Sequence, residues 1–137
     1  MALSRYCLDI SAYSNFKRGD RQVVDIMDGA DWLGMPSVVL GEIEIGFLLG
    51  NPDRLAKNRE ELRMFLSNVA VEELVVDSEV SRIYADIVVS LRRAGTPLPS
   101  NDIWIAAISS RAGATVLTYD AHFGLIQRAG AHILLQD

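Results

Sequence analysis

Several things are scarce in this chain, and each scarcity excludes something. There is one cysteine, Cys7, so no intrachain disulfide is available, and a reducing, cytoplasmic setting is the economical expectation. Cys7 lies in an apolar run and is expected to be a buried, inert core residue. Two histidines, His122 and His132, without partner cysteines are too few for a zinc site, and each is read as a surface or hydrogen-bonded polar residue. No stretch approaches the roughly 18 uninterrupted apolar residues that a membrane span needs. The opening "MALSRYCLDI" shows no apolar secretory region, so no membrane association is expected. Basic charge is also short: 13 Lys and Arg face 18 Asp and Glu, for a net charge of −5. That excludes a protein held on nucleic acid by bulk charge alone, although a local basic rim around an acidic centre stays open. Lys17, Arg18 and Arg21 form one basic group and Arg92 with Arg93 another; both also read as ordinary solvated faces.

What is present is a globular composition, 50% hydrophobic and 23% charged, with no repeat or Pro/Gly-rich linker, which predicts one domain over residues 1–137. Short apolar runs alternate with segments of helical period. "RYCLD" reads as a strand followed by a short helix through Ser14, and "RQVVDIMDGADW" as a second helix. "LGMP" is a short strand, and "SVVLGEIEIGFLLG" a strongly apolar helix from Ser37 to Gly50. "DRLAKNREELRMFLSNV" is amphipathic and "VEELVVD" a strand. In "SEVSRIYADIVVSLRRAG", Val80, Ile83, Tyr84, Ile87, Val88 and Leu91 follow helical spacing up to the stop at Gly95. "NDIWIAAISSRAG" reads as a helix ending at Gly113, "ATVLTYD" as a strand, "AHFGLIQRAG" as a short helix and "HILL" as the last strand. Strands alternating with helices predict an α/β fold whose parallel sheet is covered on both faces. Ligands in such sheets bind beyond the C-terminal strand ends, where strand order reverses.

That rule directs attention to acids just after strands: Asp9, Asp77 and Asp120. If the strands ending at Asp9 and Asp120 are neighbours, their carboxylates share one cleft. Glu42 lies among Val39, Leu40, Ile43 and Ile45, where a carboxylate is costly unless paired or bound to a cation. Glu44, two residues on, points to roughly the opposite side. Asp102 opens a helix. Taken singly, each has an ordinary structural account, since Asp9 suits an N-cap and Asp102 complements a helix dipole. Taken together, four carboxylates in one cleft repel by about 4 kcal/mol per close pair at an effective dielectric of 20, which a divalent cation relieves. Oxygen ligands without convergent His or Cys favour Mg²⁺ or Mn²⁺.

"YCLDISAYSNF", "MPSVVLGEIEIGF" and "PLPSNDIWIAAISSRAGATVLTYDAHF" together resemble the PIN-domain ribonucleases, particularly the VapC-type toxins of toxin–antitoxin pairs, from about residue 5 onward. The resemblance implies a three-layer α/β/α PIN-like domain with a central, mainly parallel sheet. It matches Asp9, Glu42, Asp102 and Asp120 to the family's four acids, which bind Mg²⁺ or Mn²⁺ and activate water to cut RNA, leaving a 5′-phosphate and a 3′-hydroxyl. Thr118 and Ser11 match hydroxyls that orient the site. The family's usual Asp-Thr-Asn or Asp-Thr-Ser is here Asp-Ile-Ser, so Ile10 supplies no hydroxyl. The resemblance further implies a homodimer and a cognate antitoxin protein lying over the acidic cleft. Lys17, Arg18, Arg92 and Arg93 are the candidates for guiding an RNA backbone.

Other classes compete poorly. A receiver-like signalling module with Asp77 as phosphoacceptor wants paired acids after the first strand and a late Lys, yet the only lysines are Lys17 and Lys57. Asp77 is more simply a helix cap. A haloacid-dehalogenase-type phosphatase wants a second Asp where "DIS" has none. A PIN-like domain kept for binding alone is disfavoured because all four acids are present.

Overall fold

The computed structural model describes residues 3–135. Among the described residues, strands β1 (Arg5–Leu8), β2 (Trp32–Pro36), β3 (Val71–Leu74), β4 (Thr115–Thr118) and β5 (Ala131–Ile133) form one sheet in the order β3-β2-β1-β4-β5. Every pairing is parallel, so the sheet is parallel throughout and not merely in the main. Six helices cover it: α1 (Ile10–Lys17), α2 (Arg21–Gly29), α3 (Ser37–Leu49), α4 (Leu55–Leu66), α5 (Ser78–Ala94) and α6 (Ser100–Arg111). The chain first walks from β1 to β2 to β3, then returns to place β4 on the other side of β1. With right-handed crossovers, α1 to α4 fall on one face, and α5 and α6 on the other. The reversal lies between β1 and β4.

A parallel sheet covered on both faces needs apolar residues on both faces, and the central strands supply them. Cys7, Leu8, Met35, Val116 and Leu117 are all fully buried. Each large side chain so buried contributes about 1.5–3 kcal/mol against solvent exposure. Gly34 is required by close approach: a Cβ there would lie 2.6 Å from Trp32 Cη2 and 2.9 Å from Cys7 Sγ. The helices end where local chemistry stops them. Asp20 caps α2 through the Gln22 amide, Asp77 caps α5 through the Val80 amide at 2.8 Å, and Gly95 closes α5 with a φ of +74°. No described helix is long and apolar enough to cross a membrane.

Several elements differ from the sequence expectation. α2 ends at Gly29, so that Trp32 opens β2 instead of closing the helix, and β4 stops at Thr118, ahead of Asp120. α1 runs on to Lys17 instead of stopping at Ser14, because Tyr13 and Phe16 pack on Phe65 of α4. β3 ends at Leu74, leaving Val75 and Val76 exposed beyond an edge strand with a single neighbour. The segment after β4 makes only a 3₁₀ turn over Ala121–Leu125; Asp120 tightens its start, and the Ile126 amide closes on Phe123 O. The last strand begins at Ala131 and ends before Leu134.

Candidate active site

The reversal between β1 and β4 sets the geometry. Both strands end at one edge of the sheet. Asp9 follows β1 directly, and Asp120 comes two residues after the end of β4, so the two acids emerge from neighbouring strand ends. Asp9 both caps a helix and ties two strand ends together. Its Oδ1 caps α1 by accepting from the Ala12 amide at 2.9 Å, and also accepts from Ser11 Oγ at 2.7 Å. Its Oδ2 accepts from Thr118 Oγ1 at 2.5 Å, so the end of β4 grips the end of β1. Ser11 Oγ receives the Tyr119 amide, and Thr118 Oγ1 receives the Asp120 amide, both at 2.9 Å. Ser11 and Thr118 therefore knit the two strand ends together. Three of the roughly four lone-pair positions on the Asp9 carboxylate are filled, which leaves one on Oδ2.

The other two acids come from helices on either side. Glu42 sits in the second turn of α3, which follows β2 directly. Asp102 sits in the first turn of α6, just after Pro99. Glu42 is half-buried, and its Oε1 is fully buried without a hydrogen-bond partner. Glu44 points elsewhere, making a two-pronged ion pair with Arg59, with the shortest contact at 2.8 Å.

The four acids act on one another. Burial pushes the Asp9 carboxyl above its ordinary pKa; the bonds from Thr118, Ala12 and Ser11 pull it back, and the Asp120 charge raises it again. Burial likewise raises Glu42, with Asp102 and Asp9 adding repulsion. Asp102 is raised by burial and then by Asp120 and Asp9, against an opposing pull from His122. Each acid is thus coupled to at least one other across the cleft. Among the described residues, no three acid, imidazole or thiol side chains are drawn together as a ready-made metal cage.

His122 is the residue that the sequence reading missed. It is exposed, as expected of a surface histidine, but its Nδ1 lies 2.8 Å from Asp120 Oδ1, and its amide donates to the same oxygen at 2.9 Å. Its position two residues after a strand-end acid was the available signal.

The basic candidates divide. Lys17 lines an apolar groove of about 340 Å³ with Ile10, Tyr13 and Glu42, but its ammonium is paired with Glu61 at 2.6 Å. Arg18, the C-cap of α1, bonds Asn15 at 3.1 Å. Arg92 and Arg93 are exposed in the last turn of α5. An ion pair joins Arg111, ending α6, to Glu79, opening α5, so the two packed helices run antiparallel. The end of α5 therefore lies at the same end of the molecule as Asp102. Ile10, in the place of the usual Thr, contributes to the apolar wall beside Glu42.

The PIN domain family profile matches residues 6–129. The chain belongs to the PIN-domain family. Ribonuclease VapC4 of Mycobacterium tuberculosis (strain ATCC 25618 / H37Rv) is 35% identical over 96 residues, covering 70% of this chain and 72% of that protein. Ribonuclease VapC5 of the same organism is 29% identical over 94 residues, covering 69% and 68%. The fold matches VapBC2 from Rickettsia felis with a TM-score of 0.83 at 18% identity, covering 95% of this chain and 98% of that one. VapBC from Salmonella typhimurium matches with a TM-score of 0.81 at 20% identity, covering 95% and 98%. The parallel sheet and the helical layers described above are those of a PIN domain.

Proposed function

We propose that this PIN domain is a metal-dependent endoribonuclease that hydrolyses RNA phosphodiester bonds, and that it is the toxin of a toxin–antitoxin pair. The observation that carries the reading is the mutual repulsion of four carboxylates around the β1–β4 reversal, with a buried Glu42 oxygen lacking a partner. The names of the relatives, both ribonucleases, point the same way.

The donor set fits an oxygen-bound Mg²⁺ or Mn²⁺: Glu42 Oε1 awaits a partner and Asp9 keeps one lone pair. Asp9, Glu42, Asp102 and Asp120 would hold the ion. When bound, it lowers the pKa of water and offsets charge that develops on the phosphoryl group. The chain's own residues do the rest. Thr118 and Ser11 hold Asp9 in one orientation, and a carboxylate of the set accepts the proton of the attacking water. Arg92 and Arg93 supply exposed cationic charge at the same end of the molecule to guide the RNA backbone, whereas Lys17 must first release Glu61. The VapBC likeness supports an antitoxin protein as partner, and the exposed Ile45, Leu48 and Leu49 of α3 offer apolar surface for a second copy of the chain.

The test is cleavage of structured RNA with Mg²⁺ or Mn²⁺. Wild type is expected to cut, and Asp9→Asn and Asp120→Asn to lose at least about 100-fold in rate. Equal activity of wild type and either variant, in preparations free of contaminating nuclease, would sink the reading.

A further inference from the structure

We infer that His122 is a positioning residue that fixes the carboxylate of Asp120 through its Nδ1–H. The inference rests on the metal-site reading above. An ionised carboxylate only accepts hydrogen bonds, so the 2.8 Å contact requires the hydrogen on Nδ1 of the ring. The His122 amide donates to the same Oδ1 at 2.9 Å. Both donors fall on Oδ1, which leaves Oδ2 as the oxygen for a ligand.

The backbone bond alone would leave the carboxylate plane free to turn, because Asp120 stands at the entry of a short 3₁₀ turn and not in a strand. The ring supplies the second constraint. At the other end, Thr118 Oγ1 holds the Asp120 amide at 2.9 Å, so the residue is pinned from both sides. Packing does not explain the ring's placement, since the side chain is 68% exposed. What holds the ring is its bond to Asp120, and orienting partners of this kind govern the affinity of a metal ligand.

The experiment measures Mn²⁺ binding to the RNA-free protein by electron paramagnetic resonance, for wild type, Asp120→Asn, His122→Ala, His122→Asn and His122→Gln. Asn carries an amide donor near the place of Nδ1, whereas Gln carries one near Nε2. His122→Ala is expected to bind Mn²⁺ about 10- to 100-fold more weakly, and His122→Asn to stay within about threefold of wild type. His122→Gln is expected to resemble His122→Ala. Thermal melts of the metal-free His122 variants should match wild type, as the side chain is exposed. Wild-type affinity in His122→Ala, or rescue by Gln and not Asn, overturns the inference. A wild type that binds no Mn²⁺, or an Asp120→Asn variant that binds as wild type does, overturns the metal-site reading and the inference with it.

Discussion

Replacing Thr118 by Val removes the hydroxyl that joins the two strand ends while nearly conserving shape. Thr118 is fully buried, and its Oγ1 both donates to Asp9 Oδ2 at 2.5 Å and accepts from the Asp120 amide at 2.9 Å. Losing a hydrogen bond to a charged group costs about 2 kcal/mol, and the amide left without its partner about 1 more. Burying a methyl in place of the hydroxyl returns roughly 1 kcal/mol. The net loss of about 2 kcal/mol corresponds to a melting temperature lower by about 7 °C in a chain of 137 residues. The same change acts on titration. The Thr118 bond is the strongest influence lowering the Asp9 carboxyl against burial, so without it that carboxyl rises further and stays protonated to higher pH. The acid limb of the pH–activity profile for RNA cleavage should shift upward in Thr118→Val. Thr118→Ser keeps the hydroxyl and should keep the wild-type profile. A Thr118→Val protein that melts within about 1 °C of wild type, with an unmoved acid limb, refutes the reasoning.

Glu42→Gln tests the repulsion directly. Glu42 is raised in the folded protein, so the folded state holds a proton that the unfolded chain releases, and stability falls as pH rises from about 4 through the raised value. In urea melts without divalent cation, Glu42→Gln should therefore exceed wild type in stability at pH 7, and the advantage should vanish below about pH 4. Gly34→Ala forces a methyl against Trp32, Leu74 and Cys7 and should cost about 1–3 kcal/mol in the same melts. Burial pushes the Cys7 thiol up to about 12, so a maleimide should label it in denaturant and not in the native protein at about pH 8.

Much of this was legible in the residues. Asp9 and Asp120 stood out because each ends an apolar run, and parallel α/β sheets gather such ends at the reversal of strand order. Glu42 stood out because an apolar helix is an expensive place for a carboxylate, and Glu44 separated from it by helical geometry alone. His122 was not legible in the same way: a lone histidine carries no period, and its contact with Asp120 depends on the turn that follows β4. Lys17 looked free in sequence because Glu61 lies on another helix, and only tertiary packing brings the two together. The lengths of α1 and β3 also escaped local pattern, since aromatic packing on α4 extends one and an unpartnered sheet edge shortens the other.

The bond between Thr118 and Asp9 joins residues 109 positions apart. Beta pairing across the same interval, Tyr6 with Thr115, comes late because the chain between must first be ordered or looped. At about 5–20 residues per second, a ribosome needs roughly 5 to 20 seconds to make that interval. Throughout that time Asp9 has the hydroxyl of Ser11 but lacks that of Thr118 and its neighbouring acid. On the proposed function, a chain assembled in this order is silent while nascent, and it can cut only after β4 and Asp120 have been made.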